Sequence, residues 1–92
     1  MIAETIQTIH SDPNKTNKKI SVEKYEIIKS AILHVLQGKE LTHNELFVAL
    51  DEKLKGKFSG AIGWYGEIVK LDLEARKIIE RTDEKPQKYR VI

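Results

Sequence analysis

The segment Leu41-Thr42-His43-Asn44-Glu45-Leu46 restricts what this chain can become more than any other stretch. A Thr followed three residues later by Glu is a capping box. The hydroxyl accepts from a backbone N–H of the first turn, and the carboxylate reaches back to the N–H of the capping residue. Leu41 and Leu46 are placed for a hydrophobic staple around that cap. Leu46, Leu50 and Leu54 then recur every fourth residue with Phe47 beside them, and Gly56 follows as a stop. A helix starting at residue 42 or 43 is therefore expected, and a strand through 43–54 is not compatible with the pattern.

Two further helices frame it. Ser21 is a good N-cap with Glu23 in the first turn. Tyr25, Ile28, Ile32, Val35 and Leu36 make one apolar face, and Gly38 ends the run, which predicts a helix over 21–37. A third helix is expected from about Ser59 to Lys77. One apolar line on it is Trp64, Ile68, Leu71 and Ala75, and a neighbouring line is Tyr65, Val69 and Leu73. Gly60, Gly63 and Gly66 fall in its first turns at roughly 1 kcal/mol each against Ala. The start is thus expected to be irregular or closely approached by another backbone. Residues 77–81 and 88–92 read as strands joined by the loop 82–87. Residues 1–20, with Ile2, Ile6 and Ile9 and a polar stretch at 15–19, read as an N-terminal arm that cannot build a core alone and is unlikely to pack through its polar part. The expected fold is mainly α with a small β-hairpin: a winged helix over 21–92, with three helices and a C-terminal wing, preceded by the arm at 1–20.

The residues Gly63-Trp64-Tyr65 and the run Val69-Lys70-Leu71-Asp72-Leu73-Glu74-Ala75-Arg76 carry a resemblance, supported upstream by His10-Ser11-Asp12-Pro13 and Glu23-Lys24-Tyr25. Over most of residues 9–92 the chain resembles a bacterial family of small uncharacterised winged-helix-like proteins, a domain of unknown function. The resemblance implies the fold and no particular activity. The family usually has Gly where this chain has Lys77, so the turn into the wing is expected to differ.

At 92 residues the chain is one domain with one modest core. No cysteine is present, which excludes disulfides, thiolate metal sites and a Cys nucleophile. The start of the chain has no basic, apolar leader pattern and no run is long enough to span a membrane, so a cytoplasmic location is expected. His10, His34 and His43 lie on three different elements, so no metal site is expected. The serines have no glycine elbow or base partner, and the spaced glycines lack the lysine of a phosphate loop. No enzyme activity, cofactor or small-molecule ligand is expected. Asp72 and Arg76, four apart, suggest a helix-surface ion pair worth a few tenths of a kcal/mol.

Net charge is only +2, but residues 40–75 are acidic and residues 76–92 carry six bases against three acids. A transcription-regulator-like protein that binds double-stranded DNA as a homodimer is the first functional expectation. Arg81, Lys85, Lys88 and Arg90 of the wing would meet phosphates. Lys70 of the third helix would enter the groove, and Ser59 would lie near a phosphate at the helix start. The outward face of that helix, Gly63, Glu67, Lys70, Glu74 and Lys77, mixes acids with bases, which is unusual for a groove reader. The rival expectation is a non-enzymatic interaction or dimerisation module of the same fold, using Ile6 and Ile9 of the arm with Gly63 and Trp64. Trp64 and Tyr65, at helical spacing with Ile68 and Val69, read first as core, and otherwise as groups that stack on bases or grip a partner.

Overall fold

The structure is a computed structural model and describes residues 4–92; Ile2 of the expected arm lies outside them. Eight elements follow in the order β1 (Thr5–Ile9), β2 (Thr16–Ser21), α1 (Val22–Leu36), β3 (Leu41–Thr42), α2 (His43–Leu54), α3 (Ile62–Ala75), β4 (Ile79–Arg81) and β5 (Lys88–Val91). The protein is a small α+β domain with three helices and two sheets. One sheet is the antiparallel hairpin β1–β2. The other is antiparallel with strand order β3-β5-β4, so the short β3 closes one side of the C-terminal hairpin.

The caps read from the sequence form. Ser21 Oγ accepts from the N–H of Lys24 at 3.2 Å. At α2 the Glu45 N–H donates to Thr42 Oγ1 at 3.2 Å, and the Thr42 N–H donates to Glu45 Oε1 at 2.9 Å. The core joins Ile28, Ile32 and Leu36 of α1 with Leu46 and Leu50 of α2, Val69 and Leu73 of α3, Ile79 and Tyr89.

Three expectations change. The third helix begins at Ile62, not Ser59, because Gly60 has φ 136° and breaks the helical path. A Cβ there would stand 2.9 Å from the Tyr65 ring, so the turn folds tightly under that side chain. The helix also ends at Ala75, in a paired-bond cap: Lys77 N–H donates to the Glu74 carbonyl (3.1 Å), and Ile78 N–H to the Leu73 carbonyl (2.9 Å). Lys77 takes φ 63° in that cap, the left-handed conformation glycine adopts freely, so the turn keeps a glycine geometry with a lysine in it.

The third change concerns residues 4–21, which form a packed hairpin instead of a loose arm. Its polar groups do the fastening. Asn17 Nδ2 donates to the carbonyls of Ile9 (3.1 Å) and Ile68 (3.0 Å), and the Ile9 N–H donates to Asp72 Oδ1 (2.9 Å). Ile20 is buried, and Ile6 packs against the core. The Asp72–Arg76 pair forms at 2.9 Å, but Asp72 is fully buried and also accepts the Tyr25 hydroxyl, so it is an internal hub and not a surface pair.

Candidate functional site

Lys70 faces inward. It is 3% exposed, and its ammonium stands 5.9 Å from the Phe47 ring and 4.7 Å from the Tyr89 ring. The ammonium donates to the Tyr89 hydroxyl at 3.2 Å, pairs with Glu67 Oε2 at 3.3 Å, and stands 3.4 Å from His43 Nδ1. His43 stacks on Phe47, with 4.4 Å between ring centroids. Lys70 therefore joins α2, α3 and β5 through its side-chain contacts. The heptad-like spacing put it on the outer face; the Tyr89 side chain arriving from β5 covers it.

The wing bases divide into two groups. Arg81 binds Glu74 through two hydrogen bonds of 2.9 and 3.0 Å. Arg90 bridges Glu80 (2.7 Å) and Glu40 (2.8 Å), and those hydrogen bonds, Glu80 first, raise its pKa further. Lys85 and Lys88 make no ion pair among the described residues, but Asp83 and Glu84 share their loop and are unpaired too. Much of the basic excess read from the sequence is thus spent internally, on Arg76, Arg81 and Arg90, and Asp83 and Glu84 offset two of the three remaining lysines, Lys77, Lys85 and Lys88.

Around the start of α3 the arrangement is aromatic. Tyr65 holds Phe58 edge-on at 5.3 Å and Trp64 edge-on at 4.9 Å, and Lys24 of α1 lies over its ring at 5.1 Å. Trp64, read first as core, is 50% exposed; the hydrogen bonds of the β1–β2 hairpin to α3 lie one and two turns further on, at Ile68 and Asp72. Gly63 beside it has open space where a Cβ would stand. Gly66, in contrast, is where α2 comes close: a Cβ would meet Leu50 and Phe47 at 2.9 Å. Ser59 is exposed and does not cap α3, whose N-cap Ala61 supplies no side-chain bond.

The four candidate partner residues are not one patch. Gly63 and Trp64 share the first turns of α3. Ile6 is partly buried in the core, and Ile9, though 45% exposed, lies beside the C-terminal end of α3. Sequence reasoning missed the roles of Phe58 and Lys24, whose signal was only their aromatic and basic character, and the buried Asp72. That carboxylate was visible as a lone acid between Leu71 and Leu73 on an otherwise apolar stretch. No group of His, Asp and Glu able to hold a metal occurs among the described residues, and no helix among them is long and apolar enough to cross a membrane.

A family described as a family of unknown function, DUF6958, matches residues 5–89. No curated protein and no solved structure matches the chain.

Proposed function

The chain belongs to the DUF6958 family, and we propose that its fold is a winged helix used as a dimerisation and protein-interaction module, not as a duplex reader. The strand order β3-β5-β4 around α2 and α3 supports the winged-helix assignment. One contrast carries the functional reading: along α3 the groove-reading candidate Lys70 is buried, while Trp64 is half exposed on a rigid aromatic support. A tryptophan presented this way has the area and low rotamer freedom typical of interface anchors. Gly63 is exposed beside it, with open space where a Cβ would stand. In a two-fold dimer each copy's Trp64 meets the exposed start of the other copy's α3.

Sedimentation velocity over a concentration series tests this. The protein is expected to dimerise with a melting temperature that rises with concentration, and Trp64→Ala to sediment as a monomer whose cooperative melt no longer depends on concentration. A wild-type protein that stays monomeric at the highest concentration rejects the reading. The second reading is DNA binding, favoured by the strand order and by unpaired Lys85 and Lys88. Duplex binding at low salt that falls steeply with salt, and that is lost on replacing both lysines with Ala, would establish it in place of the first.

A further inference from the structure

We infer that the outer edge of β4 is a docking site for an extended peptide segment of another protein, which adds to the sheet as a fourth strand. This site lies at the opposite end of α3 from Trp64 and does not depend on the reading above.

The register fixes which backbone groups are free. Ile79, Glu80 and Arg81 face Val91, Arg90 and Tyr89 of β5. The flanking bonds run from Thr82 N–H to the Lys88 carbonyl (2.8 Å) and from Ile92 N–H to the Ile78 carbonyl (3.1 Å). In an antiparallel pair, hydrogen-bonded positions alternate. Glu80, Thr82 and the carbonyl of Ile78 therefore point their backbone groups at β5, and Ile79 and Arg81 point theirs outward. Neither has a backbone partner on that side among the described residues.

The outward edge opens on a trough of about 650 Å³. The last turn of α3 (Glu74, Ala75) and Lys77 form its floor, and the chain from Ile9 to Pro13 forms its far wall. The hairpin cannot close the gap by pairing with β4. The Ile9 N–H is committed to Asp72, and its carbonyl to Asn17. Two N–H donors and two carbonyl acceptors about 7 Å apart along a line are matched by another extended backbone and by little else.

The lining narrows the occupant. Ile9, 45% exposed, and Ile92, 64% exposed, stand at the trough and suit an apolar side chain between them. Glu74 and Glu80 are neutralised by Arg81 and Arg90, and Asp12 and Lys77 are of opposite sign, so a strongly charged segment gains nothing. The occupant is a neutral segment of alternating apolar and polar residues. A second copy offering its own β4 is disfavoured, because two-fold pairing about Glu80 sets two glutamates opposite one another.

The test uses the full chain labelled with nitrogen-15 and the peptide acetyl-Thr-Val-Thr-Val-Thr-Val-amide at millimolar concentration. The expected result is slowing of amide exchange at Ile79 and Arg81 by about tenfold or more. The same peptide N-methylated at alternate amides is expected to leave both rates unchanged. Arg81→Pro, which removes one edge donor at a position an edge strand tolerates, is expected to lose the peptide response while keeping a cooperative melt. No protection at either amide overturns the inference, as does equal protection by the methylated peptide. Protection that appears without peptide and grows with protein concentration also overturns it, in favour of self-association. The monomeric Trp64→Ala variant is expected to respond as the wild type does, which separates failure here from failure of the dimer reading.

Discussion

Asp72 of α3 and Tyr25 of α1, 47 residues apart, share a buried hydrogen bond in which the phenol donates to the carboxylate. Burial raises the Tyr25 pKa above the usual tyrosine range, and the adjacent Asp72 charge and hydrogen bond raise it further. Below about pH 10 both folded and unfolded states keep the phenol proton, and the contribution of this pair is fully present. Above it the unfolded chain loses a proton the folded chain retains. Stability is expected to fall by up to about 1.4 kcal/mol per pH unit as pH rises. Denaturant melts between neutral and alkaline pH measure this slope. Tyr25→Phe is expected to abolish the slope at a cost of about 2 kcal/mol at neutral pH.

Lys77→Gly is expected to stabilise the fold by about 1 kcal/mol. The position holds a left-handed backbone angle that costs an L-residue about this much and a glycine almost nothing. A shift of the urea midpoint with unchanged slope is the readout.

The two glycines of α3 are expected to respond in opposite directions. Gly63→Ala meets open space and gains up to about 1 kcal/mol of helix propensity. Gly66→Ala drives a methyl to 2.9 Å from the Leu50 and Phe47 side chains, and Leu50 is fully buried. A loss of about 1–3 kcal/mol is expected. Thermal melts of the two variants side by side decide it.

Lys70→Ala is expected to destabilise by about 1–2 kcal/mol, since it removes a buried side chain packed by the Phe47 and Tyr89 rings and leaves the Tyr89 hydroxyl without its donor. Lys70→Met keeps the stem and is expected to recover most of that loss. A groove-reading lysine would show no such effect on folding, so chemical denaturation of the two variants tests the assignment.

What the sequence revealed was local. The Thr42–Glu45 box, the Ser21 cap and the apolar faces of α1 and α2 depend on neighbours within one or two turns, and each is where the pattern put it. What it concealed was who covers whom. Periodicity placed Lys70 outside and Trp64 inside, but Tyr89 arrives from β5 onto the first, and the hairpin stops short of the second. The segment read as an arm whose polar part does not pack, because its anchors are polar and distant: Asn17 reaches Ile68 across 51 residues, and Ile9 reaches Asp72 across 63. No local window contains such bonds. The basic wing misled for a related reason. Net charge counts residues, while Glu74 takes up Arg81, and Glu40 and Glu80 together take up Arg90, only once the chain is folded.

Tyr89 sits on the middle strand of its sheet with two cations near its ring, Lys70 of α3 at 4.7 Å and Arg81 of β4 at 5.5 Å. At the far end, Thr82 closes the loop by exchanging backbone and hydroxyl bonds with Lys88. The C-terminal hairpin therefore has no hinge at its base, and its freedom to adapt is confined to the tip at 83–87. Whatever binds along this sheet meets a surface whose ordering entropy was already lost on folding, so association there proceeds by fit rather than by rearrangement.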